Sequence, residues 1–159
     1  MADLTRADVV KIIAIRAGDD KGVVLQGVDL SELNLSALFL AEANLKYAKL
    51  DHANLTLADL AKADLSFANL SFADLSEANL RNARLREANL SGADLRSVDM
   101  SDADLSKADL RGANLRGADL ARANFWHADL SDANLIYANL EGAKGLPVGI
   151  EDWGTKGNP

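Results

Sequence analysis

At 159 residues and 16.9 kDa, with a formal net charge of −7, the chain has the length of one domain and enough mass for a real core. Charged residues make up 26% and the hydrophobic set 48%, which excludes a disordered chain and a membrane-spanning one. The absence of cysteine excludes disulfides, thiol catalysis and thiolate metal sites, while 24 Asp+Glu against 17 Lys+Arg argues against direct nucleic-acid binding. Met1 is followed by Ala2, Asp3, Leu4, Thr5 and Arg6, without the apolar run of a secretory signal. A cytoplasmic protein with no membrane contact is expected.

Residues 1–20 predict an N-terminal capping helix. Thr5-Arg6-Ala7-Asp8 resembles a capping box with Asp in place of the usual Glu, and Leu4 and Val9 are spaced for a hydrophobic staple. The helix reads from Arg6 to Ala17, with Gly18 as its stop and Val9, Ile12 and Ile13 on one side. The run of Val and Ile also allows a strand.

Residues 21–144 follow a single rule. Every fifth residue from Leu25 to Leu140 is large and apolar, 22 of 24 being Leu and the others Met100 and Phe125. Two residues before each centre stands Ala in 19 of 23 cases, and the residue between is Asp or Asn in 20 of 23. On an α-helix, steps of five would wind the leucines around the cylinder; on a straight strand they would alternate faces. Both leave leucines in water. A short extended piece followed by a corner satisfies the pattern, with Ala and Leu inward and Asp/Asn outward. If each corner turns about 90°, four pentapeptides close a 20-residue coil, and coils stack at roughly 4.8 Å. About six such coils make an all-β solenoid. Asp and Asn suit the slot before the corner because their short side chains accept from nearby backbone N–H groups.

The tandem register, as in Ala63-Asp64-Leu65-Ser66-Phe67 and Ala113-Asn114-Leu115-Arg116-Gly117, resembles the pentapeptide repeat family over roughly Val23 to Ala143. The Leu centres are similar to those of cyanobacterial and plant-type members. The resemblance implies a right-handed, four-sided parallel β-helix, closed as a quadrilateral.

Both ends of a solenoid need cover. Val28, Leu33 and Leu38 replace Ala only in the first coil, predicting a wider apolar end under the N-terminal helix. Phe125 is expected to fill the base of the last coil. The tail, 145–159, offers Leu146, Ile150 and Trp153 as a loose cover.

No chemistry survives a search of the sequence. His52 and His127 are 75 residues apart, on outward corners and almost four coils from each other. The carboxylates sit in the turn-supporting slot, and no phosphate loop or nucleophile set is present. We therefore expect no catalytic residues, no cofactor, no metal and no enzyme activity. The expected function is a scaffold whose flat sides bind an unidentified protein partner. Tyr47 and Phe67 differ by 20 and share a corner column; Phe72 and His52 share the next one. These four form the candidate partner surface, with Trp126, Ile136 and Tyr137 as a smaller second patch. The resemblance implies an alternative, since some relatives are acidic rods that mimic DNA and inhibit or protect DNA gyrase. The net charge of −7 between Asp29 and Glu141 fits that reading. Two features oppose it: Phe occupies one centre, and Arg96 and Arg116 stack amid Arg81, Arg84, Arg86, Arg111 and Arg122 to interrupt the acidity.

Overall fold

The computed structural model describes residues 4–16 and 22–147. The expected helix stop at Gly18 and the tail cover by Ile150 and Trp153 lie outside the described residues. From Val24 onward every fifth residue forms a parallel bridge with the residue 20 further on, from Val24–Asn44 to Asn124–Lys144. Four bridging positions recur per turn, so the coil has four sides. The first carries Val24, Asn44 and Asp64; the second Asp29, Lys49 and Asn69; the third Asn34, Asn54 and Asp74; the fourth Phe39, Asp59 and Asn79. Each side is one bridging residue wide, held on both flanks: Leu30 N–H donates to Lys49 O at 2.8 Å, and Lys49 N–H to Val28 O at 3.0 Å.

The core is the Leu/Ala lattice that the period demands. The Leu centres from Leu25 to Leu135 are buried, Leu140 is half-buried, and from Ala43 to Ala123 every Ala two residues before a centre is buried. Burying each Leu contributes about 1.5–3 kcal/mol, and alternating it with Ala lets stacked rings fill a narrow interior without overpacking.

Corners carry a feature that residue types do not announce. The second residue of each corner has positive φ, and nineteen of these are not glycine, with φ between 54° and 63°. A left-handed L-residue costs about 1 kcal/mol. The neighbouring hydrogen bonds hold it there. Lys62 N–H donates to Arg81 O at 2.8 Å in the next coil, and Ala63 N–H closes the turn onto Leu60 O at 3.0 Å. The preceding Asp or Asn Oδ1 accepts the N–H two residues on, as Asp59 does from Ala61 at 3.2 Å.

Helix α1 spans Arg6–Arg16, so the helical alternative holds over the strand. Its capping box forms: Thr5 N–H donates to Asp8 Oδ2 at 3.0 Å, and Asp8 N–H to Thr5 Oγ1 at 3.3 Å. Val9 is buried in the common core, with Leu4, Ile12 and Ile13 packed on it beside half-buried Val28, Leu33 and Leu38. Arg6 reaches the strand edge of the first coil and donates to Asn34 O at 2.6 Å and Ser36 O at 3.0 Å. No helix among the described residues is long and apolar enough to cross a membrane.

At the far end Gly145 takes the centre position one coil after Phe125, with φ 75°. A Cβ there would lie 2.6 Å from Trp126 Cα, so only glycine allows this approach.

Candidate functional site

The 20-residue coil sets Phe67 directly beside Tyr47 at the corner between the first and second sides. Their rings stack with centroids 4.9 Å apart and planes 8° from parallel. At the next corner, between the second and third sides, His52 and Phe72 stack at 5.3 Å and 13°. Phe72 also lies over Gly92, where an added Cβ would come within 2.6 Å of its ring. Both pairs are exposed, and a stacked aromatic pair contributes about 0.5–1.5 kcal/mol beyond burial. The two stacks therefore edge the second side like rails.

Between them runs a polar strip. Lys49 pairs with Asp29 at 3.1 Å, and Asn69 donates to Asp51 Oδ1 at 3.2 Å. The Ser31 hydroxyl holds Asp29 at 2.7 Å, and together with Lys49 it lowers the Asp29 pKa to about 2. The polar groups on this strip are thus satisfied by one another, and the rings are the large apolar groups it offers.

The second predicted patch does not form. Trp126 lies at the first–second corner in the column of Lys46 and Ser66, three coils beyond Ser66, and is tilted at 6.3 Å against His127, which continues the Tyr47–Phe67 column. Ile136 and Tyr137 lie at the diagonally opposite corner, between the third and fourth sides. Ten residues are half a coil, which is the physical reason for the separation. Tyr137 instead receives the Arg116 guanidinium over its ring, 5.2 Å from the centroid.

Among the exposed apolar residues that the sequence reading did not place on a surface patch are Val10, Val24, Phe39 and Leu57, the last two the most exposed. Phe39 occupies an Asp/Asn slot and is 67% exposed, and Leu57 occupies a corner and is 61% exposed. Register alone marks both slots as outward, and that was the available signal. One acid departs from the outward rule. Asp64 is only 6% exposed, closed over by Lys46 at 3.2 Å and Arg84 at 3.0 Å. Burial pushes its pKa up, but bonds from Ser66 and Lys46 and the Arg84 charge outweigh that, leaving it below the ordinary carboxylate value.

The arginines are mostly tied to acids. Arg96 grips Asp94 at 2.6 Å, Arg111 grips Asp109 at 2.6 Å, and Arg122 grips Asp102 at 2.7 Å. The hydrogen bond to the guanidinium lowers each of those Asp pKa values and raises its Arg partner's. Among the described residues no group of three or more His, Cys, Asp or Glu is placed to hold a metal ion.

A packed, four-sided parallel solenoid with its rings on outer corners defines a structural repeat protein. The pentapeptide repeats profile matches in eight copies, over residues 39–71, 73–112 and 113–144. The chain belongs to the pentapeptide repeat family, whose members form right-handed quadrilateral β-helices. HetL, a pentapeptide repeat protein involved in heterocyst differentiation regulation in the cyanobacterium Nostoc sp. strain PCC 7120, is similar. It is 28% identical over 90% of this chain and 86% of its own, with a TM-score of 0.62. A pentapeptide repeat protein of the Arabidopsis thaliana thylakoid lumen, AT2G44920, is 28% identical over 84% of this chain and 85% of its own (TM-score 0.43). A trypsin-treated form of QnrB1, a plasmid-mediated fluoroquinolone resistance protein, is 18% identical over 79% of this chain and 66% of its own (TM-score 0.48). No curated protein matches the sequence.

Proposed function

We propose that this chain is a non-catalytic scaffold that binds a protein partner through its second side, using Tyr47, His52, Phe67 and Phe72. One observation carries the reading: two stacked, exposed ring pairs edge a single side whose polar groups already satisfy one another. Flat aromatic anchors of this kind dominate interface energetics because they bury much area at little entropic cost. HetL, to which the chain is similar, is involved in the regulation of heterocyst differentiation, and a regulatory role is compatible with a scaffold. In the same reading residues 1–20 cap about six coils that span 21–144, residues 145–159 form a tail, and the protein works in the cytoplasm.

The acidic-rod reading, in which the chain mimics DNA toward gyrase, draws support from the net charge of −7. The bidentate Arg96–Asp94, Arg111–Asp109 and Arg122–Asp102 pairs set cations among the acids and break the acidic surface into patches, which favours the scaffold. The deciding experiment is capture of the partner from native lysate by the wild type and by the triple variant Tyr47→Ser, Phe67→Ser, Phe72→Ser. The fold should survive, because these rings point away from the Leu/Ala core. Loss of capture supports the site; undiminished capture by the folded variant refutes it, and inhibition of supercoiling by gyrase would favour the acidic rod.

A further inference from the structure

The corner diagonally opposite the Tyr47–Phe67 stack carries a depression that the scaffold reading does not use. One corner column there runs Glu77, Ser97, Gly117, Tyr137, one coil apart. Ser97 and Gly117 are the two small members, so the column dips between the Glu77 carboxylate and the Tyr137 ring. Ser76, Arg96 and Arg116 complete the lining of about 250 Å³.

The groove is electrically polar along its length. At one end the charge of Arg96 is taken up by Asp94 at 2.6 Å, and Asp74 and Glu77 act on the same guanidinium, so carboxylates outnumber it. At the other end Arg116 forms no ion pair among the described residues and lies over Tyr137 at 5.2 Å. Two coils separate Glu77 from Gly117, roughly 10 Å at strand spacing. A peptide in the polyproline II conformation has three residues per turn and rises about 3.1 Å per residue, so side chains three residues apart share one face and span about 9 Å.

We propose that this groove binds a peptide segment in the polyproline II conformation carrying a basic and an acidic side chain three residues apart, on one face. The basic group meets Glu77, and the carboxylate meets the Arg116 guanidinium, with Tyr137 as an apolar wall and Ser97 and Gly117 as the floor. Opposite charges at the two ends select for the pair over either charge alone.

The test is a ¹⁵N-amide NMR titration with acetyl-Lys-Gly-Gly-Asp-amide, set against acetyl-Lys-Gly-Gly-Ala-amide and acetyl-Ala-Gly-Gly-Asp-amide. The doubly charged peptide should give saturable shifts at Ser97 and Gly117, and each singly charged peptide should bind about threefold more weakly. Ser97→Leu fills the dip, and Leu57 already holds the same corner slot at φ 59° against 54° for Ser97, so the variant adds no new backbone strain. Arg116→Gln removes the free cation. Both variants, folded by circular dichroism, should lose the shifts at Gly117. Equal binding of all three peptides, or retained binding in a folded Arg116→Gln protein, overturns the proposal whether or not the Ser97 variant folds. Because the groove lies at the third–fourth corner and the substituted rings lie at the first–second and second–third corners, the aromatic triple variant should bind these peptides unchanged.

Discussion

The Arg6 guanidinium donates to the Ser36 carbonyl at 3.0 Å, as the Ala37 N–H donates to Thr56 O at 2.9 Å one coil further on. Its other nitrogen does the same at Asn34 O, where Leu35 N–H meets Asn54 O in the next coil. One side chain thus imitates two backbone donors of a coil that does not exist. The solenoid's first edge exposes carbonyls that would otherwise template another strand, and a planar fork is well suited to cover two of them.

Arg6→Ala should therefore destabilise the protein by about 1–3 kcal/mol in urea unfolding, since two charge-assisted bonds to backbone carbonyls are lost. Light scattering should rise with it as the strand edge opens. A variant as stable and as monodisperse as the wild type would show that the helix is held by Val9 and its neighbours alone.

Register makes the second prediction. Leu95 is fully buried, whereas Ser97 sits at an outward corner. Leu95→Lys should unfold the chain or cost several kcal/mol, because it buries an unpaired charge. Ser97→Lys should be nearly neutral, since Lys62 and Lys107 already occupy that kind of corner slot with positive φ. Chemical denaturation midpoints compare the two, and equal losses would contradict the coil.

Glycine is required at some corners and merely convenient at others. Gly112 has φ 64° with open space around its missing Cβ, and nineteen other residues tolerate that conformation. Gly112→Ala should cost about 1 kcal/mol or less. Gly145→Ala drives a methyl into the Trp126 backbone and should cost clearly more. Thermal unfolding of the pair tests this, and a Gly145 variant as stable as the Gly112 one would count against the close approach.

Acid should weaken the fold. Asp29 falls from its ordinary 3.8 to about 2 through the Ser31 hydroxyl, Lys49 and the Ser31 N–H; Asp64, Asp94, Asp102, Asp109 and Asp129 are also lowered. A depressed carboxylate adds stability that is present above its unfolded value and disappears as pH falls through its folded value. The urea midpoint should hold steady near neutrality and drop between about pH 5 and pH 2. Asp29→Asn keeps an Oδ1 for the turn, as Asn34 does toward Ser36, and removes one titrating group. Its curve should fall less steeply, and a slope equal to the wild type's would remove Asp29 from the cause.

The period of five by itself determined the coil. No straight helix or strand buries Leu25 to Leu140 together, and the bridges at a spacing of 20 follow from closing that pattern. The same arithmetic put Tyr47 beside Phe67 and His52 beside Phe72, and it also separates Trp126 from Ile136, a half-coil step overlooked in grouping those residues. Tertiary structure alone decided matters that depend on how long side chains bend and on what several groups share. Lys46 and Arg84 closing over Asp64, Arg116 lying on Tyr137 instead of pairing with an acid, and Arg6 standing in for backbone donors are of this kind. The left-handed corners belong here too. Residues such as Leu57, Phe67 and Lys62 disfavour positive φ, so no local preference foretells it, and hydrogen bonds from the adjacent coil impose it.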